Sequence, residues 1–507
     1  MSTQTQAVVA HDNDESSSSE LVPSTISDTS DDDLESDTGK AKEMFDLKKV
    51  VITIQLSGVT FTSSLINGLV IIGLPAITKD LQLPPSLAFW PASVSGLATA
   101  SSLLLAGAIA DVLGPRWVSR QGTELVAFRA LQGIGLGMHL ASSVAIITQV
   151  ITHGRGRNMA FSCLGLSQPL GFSIGLVLGG VFVDTIGWRA GWYLSGALTL
   201  FFSVVGLWAL PTRQDDRSLN DILRDFRTKV DWVGAILAST FMTLLCYLLA
   251  VLSADVETIR QPGSIIMLCP STIAFLAFVG WVHRQVQVKK PALIPNSLWK
   301  NATFSSICIT IALSFAVLNS MELFCSLFFQ EVQLLPALQA SIRISPCTLV
   351  AALVNIVGLF VHKIPAIWIV TVTSVLCAGS PLLMAVINPS WPYWGNAFVA
   401  QILQPISCDA LFTVGLIIIT DVLPEDTQAL AGAVFNTAAQ FGSALGLAIL
   451  QVISTQVTKD SNSKGKVVAL MQGYRASFWT MFAMMLLCTI VGLLGLRKAG
   501  RIGLKRD

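Results

Sequence analysis

Three charged side chains fall inside stretches of sequence that are otherwise almost wholly apolar, and they have the most chemistry to offer. Asp409 lies near the middle of the run 395–420, close to Pro405; Glu322 lies toward the far end of the run 303–328; Arg129 opens the run 130–151. Charge is costly to hold in an apolar medium, so a carboxylate placed there tends to take up and release a proton instead of staying ionised. Asp409 is the first choice for a proton-carrying group, with a hydrogen-bonded structural acid as the alternative. Glu322 is the second choice, or it simply reaches a polar interface. Arg129 either faces a polar interior or snorkels to the surface of the apolar layer. Six amide side chains, Asn67, Gln132, Gln168, Asn355, Asn436 and Gln440, sit in similar runs. They could line a cavity for a small molecule near the middle of those runs, and hydrogen bonding between helices is the other use for each. The nine cysteines include no Cys-x-x-Cys pair and the five histidines are scattered. No disulfide framework, metal site or other cofactor is expected.

Positioning such groups is a task for membrane helices. Of the 507 residues 52% are hydrophobic and 12% charged, about half the charge, roughly 25%, of a soluble globular protein. A net charge of +1 offers no basic excess for nucleic acid. A helix needs about 20 apolar residues to cross the hydrocarbon. Thirteen such runs can be read, at 50–74, 90–110, 130–151, 158–181, 190–210, 232–253, 264–282, 303–328, 340–361, 366–387, 395–420, 429–453 and 476–496. The expected fold is an all-α polytopic membrane protein whose main partner is the lipid bilayer. Residues 1–44 are acidic and Ser-rich, a composition expected of a disordered tail and not of a signal peptide.

Loops rich in Lys and Arg stay on the cytoplasmic side. That rule places there the N-terminus with Lys48 and Lys49, the loop with Arg116 and Arg120, and the loop with Arg155 and Arg157. The connector 211–230, the loop 286–301 and the basic tail 497–507 join them. Two of these assignments collide. Between Arg116 and Arg155 the chain must cross an even number of times, yet only the run 130–151 is present. The residues from Trp117 to Phe128 would reach about 18 Å as a helix, against about 30 Å of hydrocarbon. One crossing, the third of a fourteen-helix plan, is missing. The remaining organisation reads as a helix bundle at 45–210, the connector (an amphipathic surface helix or a solvated linker), two linking helices at 231–285, and a second bundle at 302–496.

Motifs sharpen this. Gly107-Ala-Ile-Ala-Asp111-Val-Leu-Gly114-Pro-Arg116 comes directly after the second run, setting an acid, a turn glycine and a base at fixed spacing. Arg129-Ala-Leu-Gln132-Gly133-Ile-Gly135 opens the third. Gly171, Gly175 and Gly179, with Gly180 next to the last, recur every fourth residue and make one smooth face for close helix packing. Asp231-Trp232-Val-Gly234, Asn436-Thr-Ala-Ala-Gln440-Phe-Gly442 and Gly473-Tyr474-Arg475 complete the set. Together, over about residues 48–498, these resemble the major facilitator superfamily of transporters, and in particular its fungal fourteen-helix drug:proton antiporter branch. The resemblance implies a two-bundle fold. It implies that Gly107, Asp111, Gly114 and Arg116 form a gating loop on the cytoplasmic side, and that Arg129 influences proton exchange on a nearby acid. It also makes Gly171 to Gly180 the fifth-helix antiporter signature, although Leu176 stands where that signature has proline. The first run offers Asn67 and no carboxylate, another departure from the branch.

The resemblance implies a transporter, not an enzyme. It would be a monomer with no cofactor, exchanging protons for small amphipathic organic compounds such as drugs, toxins or secondary metabolites by alternating access. The plasma membrane is the default location and the vacuolar membrane the alternative. The missing crossing keeps a second reading open, a non-transporting sensor or a defective chain that lost one helix to splicing or gene assignment.

Overall fold

The computed structural model describes residues 31–82, 91–92, 94–96, 98–99, 125–151, 155–209, 224, 231–252, 262–288, 290, 294, 296–357, 364–422, 425–461 and 465–497. Residues 1–48 form one unit and 49–507 another. In the first, helix runs back to Asp31, into the stretch whose composition reads as a disordered tail. The segment 40–49 that closes this part is rich in Lys, Ala, Glu, Met and Leu, good helix formers. The candidate site and the contacts around it lie in the second unit.

The described residues of this second unit are almost entirely helical. The helices of the chain are α1 (Asp31–Asp80), α2 (Leu125–Val150), α3 (Arg155–Asp184), α4 (Arg189–Ala209), α5 (Trp232–Leu252), α6 (Pro262–Gln287), α7 (Asn296–Lys300) and α8 (Ala302–Leu327). Then come α9 (Ala337–Ile344), α10 (Pro346–Val357), α11 (Ala366–Val386), α12 (Ala397–Leu403), α13 (Ile406–Val422), α14 (Glu425–Asp460) and α15 (Lys466–Gly495). Among the described residues ten helices or tandem helices are long and apolar enough to cross a membrane. The segment 100–124, where one crossing is expected to be missing, lies outside the described residues.

Two apolar runs that read as continuous are broken in the structure, and proline explains both. The run 340–361 becomes α9 and α10, parted at Ser345 before Pro346; the run 395–420 becomes α12 and α13, parted at Gln404 and Pro405. Proline lacks the N–H that would continue the ladder, and its ring crowds the preceding turn. Other boundaries are set by capping. Asn301 accepts the N–H groups of Thr303 and Phe304 at 3.0 and 3.3 Å, fixing where α8 begins. At its other end α8 runs on through one π turn, Phe328–Val332.

Glycines set the closest helix contacts. A Cβ on Gly171 would overlap the carbonyl oxygen of Phe61, one on Gly175 that of Leu65, and one on Gly179 would sit 3.1 Å from the Cα of Leu69. The glycine stripe of α3 therefore lies directly against the backbone of α1, in parallel register. The second half repeats the device. Gly442 and Gly446 of α14 lie against Ala312 and Ala316 of α8, again four residues apart on both helices. Without water to drive helices together, such backbone-level packing is a main source of association in lipid. Around α8 the apolar core is continued by Phe324, which meets Tyr474 and Phe478 of α15 edge-on, at ring separations of 5.7 and 6.4 Å.

Candidate functional site

A cavity of about 60 Å³ opens between α1, α8, α14 and the helical residues around 91–99. By volume this is room for several water molecules. Its polar lining is Asn67 from α1, Asn319 from α8, Gln440 and Ser443 from α14, and Ser95. Leu323 and Leu447 supply apolar wall one helical turn further on. Two of the six amides singled out in the sequence are thus brought together. Asn319 is not singled out by the sequence, although it sits in the apolar run 303–328 as the others sit in theirs.

The remaining amides go elsewhere. Gln168 is exposed on α3, and Asn436 donates to the carbonyl of Gly432 on its own helix at 3.0 Å. Gln132 is half-buried on α2 and is not among the residues lining the cavity. For Asn355 and Arg129 only the helix backbone is described. The loop residues Gly107, Asp111, Gly114 and Arg116 lie outside the described residues.

Glu322 and Asp409 lie within electrostatic reach of one another. Glu322 on α8 is 7% exposed, so it lies in the protein interior and not at an interface. Asp409, in the first turn of α13, is close enough to act on it electrostatically. Glu322 is adjacent to Leu323 in sequence, yet neither carboxylate is among the residues lining the cavity. The interior of the second half also carries buried polar side chains. Ser314 donates to Ser407 at 3.1 Å, Ser407 meets Ser374 at 3.3 Å, and Gln404 donates to the carbonyl of Leu318 at 3.2 Å. The three serines link α8, α11 and α13 through buried hydroxyls, the Gln404 amide adds a tie to α8, and burial in an apolar medium makes each bond costly to lose.

A further polar group inside an apolar helix is the half-buried His139 on α2. Its Nε2 lies 3.1 Å from both the carbonyl of Leu56 and the hydroxyl of Thr60. A carbonyl only accepts, so Nε2 carries the hydrogen in that contact. The residue ties α2 to α1, a role that scattered histidines in a sequence do not reveal.

At the end of the bundle where α1 and α3 finish, the two halves are closed onto one another by polar contacts. Pro75 in α1 has no N–H, which leaves the carbonyl of Ile71 without its helical donor. Ser326 supplies one, at 3.0 Å, and Gln330 reaches the carbonyl of Ile72 at 3.2 Å. Asp184, the last residue of α3, accepts the N–H groups of Ala337 and Leu338 at 3.2 and 2.9 Å. It caps α9 from another helix, where the positive end of the helix dipole favours a carboxylate. Ser173 and Thr348 meet at 2.9 Å, and Gly180 lies against Leu338 and Ser341. Nearby, Arg189 pairs with Asp80 at 2.6 Å. Tyr393 donates to the carbonyl of Arg343 at 2.7 Å, and burial pushes its phenol up to about 12 against the opposing effect of Arg343.

Comparison with known proteins places this arrangement. The sequence profile of the Major Facilitator Superfamily matches residues 118–403 and 370–505. MFS-type transporter 1 of Pyricularia oryzae is 35% identical, over 92% of this chain and 86% of that protein. The efflux pump terJ of Aspergillus terreus is 22% identical over 78% of this chain and 77% of its own, and the methylenomycin A resistance protein of Bacillus subtilis 27% over 70% and 77%. Among solved structures, a bacterial homologue of the human lysosomal transporter Spinster, inward-facing and unoccupied, superposes with a TM-score of 0.54. It is 14% identical and covers 89% of this chain and 97% of its own. The nucleoside transporter NupG gives 0.53 at 14% identity, over 88% and 99%. These two likenesses are of fold alone.

Proposed function

This chain belongs to the Major Facilitator Superfamily and is an integral, multi-pass membrane transporter, and from that membership we propose that it exports small organic compounds in exchange for protons. The carrying observation is that two acids in the interior of the second half, Glu322 on α8 and Asp409 on α13, lie within electrostatic reach of one another. A proton bound by that pair removes a like-charge repulsion between α8 and α13, and its loss restores the repulsion. Since α8 also lines the cavity through Asn319 and Leu323, the charge state of the pair and the shape of the cavity are coupled through one rigid element. In this reading the contacts from α3 to α9 and from α1 to α8 close one face of the cavity, and rocking of the two halves opens it. Resemblance to relatives named as an efflux pump and a resistance protein supports export as the direction. The plasma membrane as location and a monomer as the working unit belong to the same proposal.

Flux across proteoliposomes with an imposed pH gradient tests it. Wild-type flux should track the gradient, and Asp409→Asn should still pass substrate while ignoring it. A wild-type flux indifferent to the gradient, or gradient-driven flux in both Asp409→Asn and Glu322→Gln, would sink the assignment.

A second reading has its own support. The alignment with the Pyricularia oryzae relative extends over 530 positions, more than the 507 residues of the chain. That relative therefore carries residues this chain lacks within the aligned region, in accord with the crossing that loop charges find missing. A chain short of one helix would be a sensor or an inactive product. Transcript sequencing across codons 116–129 tests this, since reads without extra codons show that the short form is the expressed one.

A further inference from the structure

Two faces of α8 carry polar groups. Asn319 and Leu323 line the cavity. Leu318, Glu322 and Cys325, at i, i+4 and i+7, share a second face about 100° around the helix. Two glutamines of the α12 segment meet that second face. Gln404 donates to the carbonyl of Leu318 at 3.2 Å, and Gln401, one turn earlier, faces the thiol of Cys325. These contacts bracket Glu322, one helical turn away on either side. Both glutamines are 0% exposed, yet both leave polar atoms unused. Oε1 of Gln404 has no hydrogen-bond partner, and neither has Oε1 or Nε2 of Gln401. A thiol is too weak a donor to satisfy an amide. Native interiors keep few unpaired amides, because each is costly to bury.

A carboxyl group needs different neighbours in its two states. Ionised, it only accepts hydrogen bonds; protonated, it also donates one O–H. Gln404 has its N–H engaged by Leu318 and can present a carbonyl oxygen. Gln401 is held by neither end and can present an N–H. We propose, as a deepening of the transport reading above and resting on it, that Gln401 and Gln404 are positioning residues for proton exchange at Glu322. Proton binding forms an O–H on a carboxylate oxygen of Glu322, and Oε1 of Gln404 accepts it. When that O–H breaks and the proton departs, the carboxylate takes an N–H of Gln401 instead. Each state has a partner, so neither is trapped.

Among the described residues, the other titratable groups within electrostatic reach of Glu322 are Asp409 and Cys408 on α13, Cys347 on α10 and Cys325 on α8. Cys377 on α11 acts on Asp409. Charged groups on the other helices around α8 are engaged elsewhere. On α15 Tyr474 donates to Glu331 and Arg475 to the carbonyl of Ile387, and Arg343 of α9 donates to Gln333. Helix α12 carries no charge, and α14 carries it only in its first and last turns.

Infrared difference spectra of the full chain in liposomes, recorded across pH without substrate, test this. They follow the carboxylic C=O band that Glu322→Gln removes. Gln401→Met and Gln404→Met keep the side-chain length and delete the amide. Gln401→Met should raise the midpoint of that titration by about one pH unit, because the ionised acid loses its donor. Gln404→Met should lower it by a similar amount, because the protonated acid loses its acceptor. Gln401→Asn, which keeps a shorter amide, should bring the midpoint part of the way back. The melting temperature of Gln401→Met should hold or rise, since an unpaired buried amide has gone. Shifts of the same sign, midpoints that do not move, or no band lost in Glu322→Gln overturn the proposal. So does a fall in melting temperature with the midpoint in place, which marks a packing role. In proteoliposomes the pH of half-maximal gradient-driven flux should follow the midpoints. A wild-type flux that ignores the gradient, with the opposite shifts present, refutes the transport reading and leaves the two glutamines as the partners of Glu322.

Discussion

The hydroxyl of Ser326 donates to the backbone carbonyl of Ile71 at 3.0 Å, joining the second half of the molecule to the first. The carbonyl is open to it because Pro75, one turn on, has no N–H to give. Ser326→Ala should leave a buried carbonyl without a donor and cost about 1–3 kcal/mol. Pro75→Ala restores an N–H at that turn, so the double variant should recover most of the loss. Melting temperatures of the two single variants and the double one form the cycle, and strict additivity would refute the link.

Asp184 acts at the same end of the bundle by capping α9. Its replacement by alanine should cost about 1 kcal/mol, a factor of about five in the equilibrium between closed and open forms. Hydrogen exchange of the amides at 337–341 should rise by about that factor. An unaltered exchange rate there would show that the cap holds nothing shut.

The glycine crossings should be intolerant in a graded way. Gly175→Ala and Gly442→Ala each place a Cβ on a neighbouring carbonyl oxygen, and overpacking of that kind costs about 1–3 kcal/mol. Gly165 and Gly196 lie in the same half as Gly175 with nothing within 4 Å of a Cβ. Alanine at those two positions should change the melting temperature little. Equal losses at all four sites would mean that helix flexibility, not close approach, is what glycine supplies.

Much of the architecture is legible in the chain itself. Apolar runs give helices, and the spacing of Gly171, Gly175 and Gly179 gives a packing face, because both arise from local periodicity. The equivalent face at Gly442 and Gly446 is hidden because each glycine falls among alanines that pack almost as closely. Asn319 and His139 are hidden because a lone polar residue in an apolar run does not show which helix it will meet. The breaks at Pro346 and Pro405 are visible as prolines, yet average hydropathy is blind to a missing N–H and joins the segments. Pairing of Glu322 with Asp409 needs two helices some 87 residues apart to meet, a relationship that local pattern does not encode.

That pairing predicts non-additive kinetics. Glu322→Gln and Asp409→Asn each remove the mutual repulsion, so the second substitution has less left to remove. The double variant should lose no more pH-gradient response than the worse single one. Effects that simply sum would show that the two acids work independently.

Tyr393 gives a prediction at alkaline pH. Its phenol is held up to about 12 in the folded chain, chiefly by burial, against roughly 10 when unfolded. The folded state keeps its proton where the unfolded state loses it, so the contribution is whole below about pH 10 and fades as pH climbs toward 12. Tyr393→Phe should flatten that part of the fall in melting temperature, and a parallel curve would discount the residue.

The closed end of the bundle has one property with reach beyond this chain. Ser326, Gln330 and Asp184 address the main chain at Ile71, Ile72, Ala337 and Leu338, and not the side chains there. The four recipients are free to drift to any residue that keeps its helix, while the three donors and acceptors are held. Covariation across descendants of this protein would therefore be silent at this contact between the two halves, and a search for it by paired substitutions would look straight past it.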